Sequence, residues 1–81
     1  KLAIECKTCI RASKYLPKED AEQLKKFAEV FGAEPWIAIK FKGHEWYFVS
    51  LEDIMETKKS FVIDINIVKN MGLLFEEMIE K

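Results

Sequence analysis

The sequence predicts a small α/β protein, and three observations carry that prediction. LAIECKTC alternates so that Leu2, Ile4 and Cys6 fall on one side of a strand and Glu5 and Lys7 on the other. PKEDAEQLKKFAEVFGAEP then changes to the period of a helix, and WIAIKF and EWYFVS follow as two strands around a turn at residues 42 to 44. The length of 81 residues suits one domain over residues 1–81.

In chain order, the first strand is the least ordinary element, because charged residues sit within an apolar run. An edge strand with one solvated face is the simplest account of Glu5 and Lys7. Residues 10 to 16 read as a basic, partly polar loop with Arg11, Lys14 and Tyr15. Pro17 is tolerated as a first helical residue, Glu19 and Asp20 place acids in the first turn, and Gly32 with Pro35 marks the exit. On that helix Ala21, Leu24, Phe27, Ala28 and Phe31 share a face, which predicts core or a partner interface. LEDIMETKKS reads as a short helical turn or an irregular connection, and SFVIDI as a strand. In the tail Ile67, Met71, Leu74, Phe75 and Met78 suit one helical face, although Gly72 costs about 1 kcal/mol inside a helix. That helix is expected to begin as late as Asn70.

Thirteen basic residues against fourteen acidic ones leave a net charge of −1, so a nucleic-acid partner would have to be met by a local patch. No apolar run is long enough to cross a bilayer, and the first residues lack the pattern of a signal peptide, so the expected setting is cytoplasmic, with no membrane partner. Cys6 and Cys9 form a CxxC, yet zinc needs four ligands and His44 is the single histidine. Redox pairs place the first thiol at a helix N-terminus, whereas Cys6 lies inside a strand pattern. Two reduced cysteines fit a cytoplasm.

Glu5 and Lys7 form an E-x-K triplet. A metal-dependent phosphodiesterase can use such a pair, the acid holding Mg²⁺ and the lysine orienting water and offsetting charge on the phosphate. The spacing alone is generic, since a second triplet occurs at Glu56, Thr57 and Lys58. Context separates them: the first lies on an apolar strand followed by a basic loop and a helix, the second in a charged connection.

IECKT, the loop with Arg11, Lys14 and Tyr15, the helix with Phe27, Phe31 and Gly32, WIAIKF with Lys40, and the Trp-aromatic-Phe strand together resemble the archaeal Holliday junction resolvase family. The resemblance runs from the first strand to about Ser50 and is loose beyond it. It implies a restriction-endonuclease-like fold, a mixed sheet flanked by helices, with a PD-(D/E)xK signature. By that resemblance Glu5 is a metal ligand, Cys6 a ligand through its backbone carbonyl, and Lys7 the catalytic lysine. Lys40 matches a basic residue at the DNA surface or active-site margin, and Arg11, Lys14 and Lys18 would line the junction backbone.

The implied activity is Mg²⁺-dependent endonucleolytic cleavage of four-way DNA junctions by a homodimer, with the Phe27 and Phe31 stripe or the C-terminal helix as the dimer face. Family members begin with a helix bearing a glutamate and a hairpin bearing the signature aspartate, and this sequence starts after both. It is therefore expected to be the C-terminal portion of such a nuclease domain, lacking the first helix and hairpin. One carboxylate cannot fix a hard octahedral cation, so the chain by itself is expected to bind better than it cuts. The alternative is a non-catalytic α/β nucleic-acid-binding or protein-interaction domain.

Overall fold

The computed structural model describes residues 1–56 and 60–79, and of Met55 and Glu56 the backbone alone. In order come β1 (Leu2–Cys9), β2 (Ser13–Pro17), α1 (Lys18–Val30), β3 (Glu34–Phe41), β4 (Trp46–Ser50), a 3-10 turn (Leu51–Asp53), β5 (Met55–Glu56), β6 (Ser60–Asp64), α2 (Ile65–Met71), β7 (Leu73–Leu74) and α3 (Phe75–Ile79). One mixed sheet has the order β1-β3-β4-β7, and a smaller antiparallel sheet the order β2-β6-β5. β1 runs parallel to β3, which pairs antiparallel with β4.

The strand β3 explains this arrangement. Trp36, Ile37, Ala38 and Ile39 are all buried, the run of consecutive apolar residues expected of a strand covered on both faces, and Phe41 is buried beyond Lys40. Parallel pairing of β1 with β3 requires a crossover, and α1 lies within it. Ile37, Ile39, Phe41 and Val49 line the inner face of the mixed sheet. They pack against Leu16, Phe61 and Ile63 of the small sheet, Ala21 and Leu24 of α1, and Val68 of α2. The opposite, outer face carries Phe48, whose ring lies 6.1 Å from that of Phe75.

Local chemistry sets the helix ends. α1 closes in a Schellman arrangement, with the Ala33 N–H donating to the Ala28 carbonyl at 2.8 Å and the Gly32 N–H to the Glu29 carbonyl at 3.2 Å. Gly32 takes φ +61°, the left-handed conformation that this motif needs. Asp64 caps α2, its Oδ1 accepting from the Asn66 N–H at 2.8 Å. At Gly72 a Cβ would lie 2.5 Å from the Val68 carbonyl oxygen and 3.3 Å from that of Phe48, so only glycine lets the chain leave α2 against β4.

Four expectations are corrected. The stretch read as a loop contains β2, so Lys14 and Tyr15 lie on a strand paired with β6. Pro17 ends β2 and caps α1 without entering it, and Pro35 lies inside β3. The C-terminal helix is two short helices separated by β7, because Gly72 ends α2 and Leu73–Leu74 pairs with Phe48 and Tyr47. The faces of β1 are exchanged: Leu2 and Ile4 are exposed, whereas Ala3 and Cys9, on the Glu5 side, pack against the core. The triplet at residues 56 to 58 lies outside the described side chains.

Candidate nuclease site on the first strand

β1 is an edge of the mixed sheet among the described residues, paired along one side only. Strand alternation puts Ala3, Glu5, Lys7 and Cys9 on the inner face. Ala3 and Cys9 reach the core, while Glu5 and Lys7, between them, stay partly exposed. Lys7 Nζ lies 3.2 Å from Glu5 Oε2, with the two side chains 28% and 37% exposed. Their proximity follows from the strand itself, since residues two apart on one strand are neighbours on a face. Partial exposure leaves both groups open to a ligand: the Glu5 carboxylate has acceptor capacity beyond this pairing, and the Lys7 ammonium has further donors.

Beside Glu5 a groove of about 650 Å³ runs between β1 and α1. Glu5, Ile4 and Cys6 form one wall, and Gln23, Phe27 and Phe31 the other. Phe27 and Phe31 are about half exposed with ring centroids 4.8 Å apart, and the Lys1 ammonium lies 5.7 Å from the Phe31 centroid. The core part of the expectation for these two rings is thereby corrected: Ala21, Leu24 and Ala28 are the buried residues of α1, and the phenylalanines line an open groove. Gln23 was not singled out in the sequence. Its position four residues before Phe27 and eight before Phe31 was the signal that could have found it.

The other expected residues are dispersed. Cys6 is exposed and its side chain is on the outer face, so only its backbone can serve a site shared with Glu5. Arg11 is exposed in the bend after β1. Lys14 is half-buried on the face of β2 that also carries Leu16, the side turned toward the core. Lys18 opens α1, half-buried and already engaged in an interaction. Lys40 alternates with Ile39 and Phe41 and so lies on the outer face, away from Glu5 and Lys7, where its Nζ donates to the His44 carbonyl at 2.8 Å.

The ligand set does not amount to a metal centre. Among the described residues no group of three or more His, Cys, Asp and Glu side chains could hold an ion. Glu5 offers one carboxylate where Mg²⁺ wants near-ideal octahedral oxygen coordination, so these residues do not fit a tightly held cation by themselves. What the site provides is a single carboxylate next to an ammonium, at the rim of an open groove. No helix among the described residues is long and apolar enough to cross a membrane.

Comparison with known proteins gives the family. The chain is 41% identical over 78 residues to the crossover junction endodeoxyribonuclease Hjc of Methanocaldococcus jannaschii, covering 96% of this chain and 57% of that protein. It is 36% identical over 80 residues to the Archaeoglobus fulgidus protein of the same name, covering 99% and 58%. It therefore spans a little over half the length of these relatives. The fold matches the solved structure of Archaeoglobus fulgidus Hjc, described as a Holliday junction resolvase, with a TM-score of 0.78 and 31% identity over 93% of this chain and 63% of that one. The model of the archaeal Holliday junction resolvase (Hjc) family matches residues 1–81. With the whole length matched in sequence and the same fold in space, the chain belongs to the archaeal Holliday junction resolvase family.

Proposed function

We propose that the chain carries part of the catalytic and DNA-binding surface of a structure-specific endodeoxyribonuclease acting on four-way DNA junctions. The observation that carries this reading is the Glu5–Lys7 pair: an acid and an ammonium 3.2 Å apart, partly exposed on a sheet edge beside an open groove. Phosphodiester hydrolysis needs positive charge where the phosphoryl oxygens gain negative charge, and Lys7 is held where it can supply it. Glu5 would be one ligand of a divalent cation, Mg²⁺ in the finer reading, with the Cys6 carbonyl beside it. The described residues do not complete that ion's coordination, so this chain is assigned only the carboxylate and the ammonium.

Arg11, Lys14 and Lys18 would meet phosphates of the junction arms, giving affinity that does not depend on sequence. A homodimer joined through the half-exposed Phe27 and Phe31 would present two such sites to two strands. A cytoplasmic setting and a single domain over residues 1–81 belong to the same reading. A second reading is favoured by the lone carboxylate: a nucleic-acid-binding domain that holds a junction without cutting it.

The test is a paired gel shift and nicking assay on one labelled four-way junction, with and without divalent cation. Selective binding of the junction over its linear arms is expected. Cutting should be weak at most, metal-dependent, and lost in Glu5→Gln and in Lys7→Ala while binding persists. Equal affinity for junction and linear duplex would sink the junction assignment, and cutting unimpaired in either variant would remove Glu5 and Lys7 from the site. Selective binding with no detectable nicking favours the second reading.

A further inference from the structure

The parallel register Cys9↔Phe41 makes β1 and β3 end together, so the bend after β1 and the β3–β4 turn emerge side by side. Two backbone bonds and the Cys9 thiol hold that end. The Lys42 N–H donates to the Cys9 carbonyl at 2.8 Å, joining the two turns, and the His44 N–H donates to the Phe41 carbonyl at 2.9 Å, closing the hairpin around Gly43 at φ +82°. The Cys9 thiol lies 3.2 Å from the Arg11 carbonyl and 3.3 Å from that of Ser13, holding the bend that carries Arg11.

Lysines 40 and 42 are placed differently at this end. The Lys40 ammonium is partly buried and spent on the His44 carbonyl at 2.8 Å, a bond that straps the hairpin from the outer face. Lys42 is exposed, with no ion-pair partner among the described residues, and its own N–H is held by the Cys9 carbonyl while the carbonyl of the preceding Phe41 accepts from His44. The two turns carry Arg11 and Lys42 against the one acid Glu45, a net positive charge in a chain that is slightly negative as a whole. Lys7 lies two residues before the end of β1, about 7 Å back along the strand.

We propose that the β3–β4 turn is a phosphate-backbone contact. Lys42, beside Arg11, grips the backbone of a duplex arm as it leaves the Glu5–Lys7 pair, and Lys40 is a positioning residue that holds the turn and does not touch DNA. This rests on the nucleic-acid reading above and deepens it, by adding a contact residue and changing the role of Lys40. The attraction is to phosphate, so it applies equally to a junction arm and to linear duplex.

The experiment titrates salt in fluorescence anisotropy with the 81-residue chain, on a labelled four-way junction and on a duplex of one arm. Lys42→Gln should lower the slope of log K against log [salt] by about 0.9 on both DNAs and weaken binding several-fold, with Lys42→Arg restoring the slope. His44 amide exchange should be unchanged in Lys42→Gln and faster in Lys40→Met, whose weaker binding then comes from a loosened turn. A wild-type slope in Lys42→Gln, on a wild-type chain that does bind, overturns this proposal and leaves the function reading standing. Loss of a full phosphate's slope in Lys40→Met with His44 protection intact also overturns it, by making Lys40 the contact. Failure of the wild-type chain to bind either DNA removes both proposals.

Discussion

If the Glu5–Lys7 pair serves a ligand and is no core ion pair, removing its charge must cost the fold little. Lys7→Met tests this, because it keeps the length and apolar stem of the side chain while deleting the ammonium. At 3.2 Å two unit charges interact by only about 1.3 kcal/mol at the dielectric of water. Both side chains are about a third exposed, so solvent screening and the entropy of holding two flexible groups reduce this further, to under ~1 kcal/mol. Lys7→Ala also forfeits contacts of the partly buried methylenes, at about 0.8 kcal/mol for each fully buried CH₂, so a total near ~2 kcal/mol is expected. The assay is urea unfolding followed by fluorescence of the buried Trp36. With a slope near ~1 kcal/mol per molar, the Lys7→Met midpoint should fall by less than about 1 M. A loss of ~3 kcal/mol or more in Lys7→Met is what breaking a buried pair costs. That result would refute the reasoning, since the pair would then be a structural element and its exposure no guide to function.

Three further outcomes are expected. Gly72→Ala should destabilise the chain by about 1–3 kcal/mol in the same urea assay, because its Cβ would lie 2.5 Å from the Val68 carbonyl oxygen and 3.3 Å from that of Phe48; unchanged stability would mean that the end of α2 can shift to make room for it. Ile39→Ala, at a fully buried position between the two sheets, should cost about 2–5 kcal/mol, and a loss below ~1 kcal/mol would contradict the packing of that core. The double variant Phe27→Ala, Phe31→Ala should keep the monomer fold by circular dichroism while abolishing any dimer seen by sedimentation of the parent. A dimer that survives both truncations places the contact elsewhere, with the exposed Phe75 and Met71 next to examine.

The local elements were determined by the sequence, through chemistry that acts over a few residues. Acids at Glu19 and Asp20 and a glycine at the C′ position mark the limits of α1 wherever the chain is placed. The double-sided burial of β3 was implicit in its apolar run from Trp36 to Ile39, and the turn at Gly43 in its flanking strands. The nearness of Glu5 to Lys7 was legible for the same reason, as two residues apart on a strand are neighbours whatever surrounds them.

What surrounds them was decided only by the tertiary structure. Alternation names two faces of β1 without saying which meets the core, and the hydrophobic weight of Leu2, Ile4 and Cys6 points the wrong way. The packing of Ala3 and Cys9 beneath α1 and the small sheet turns Glu5 and Lys7 inward and leaves Leu2 and Ile4 exposed. β2 was hidden because its partner β6 lies more than forty residues away, and a polar, Pro-terminated stretch pairs only when such a partner is present. The division of the tail arose likewise from the approach of β4 to Gly72, a contact between segments over twenty residues apart. Lys40 and Lys42 look alike as lysines around a turn. They differ because strand alternation turns one onto the His44 carbonyl, while the register of β1 with β3 fixes the other beside Arg11.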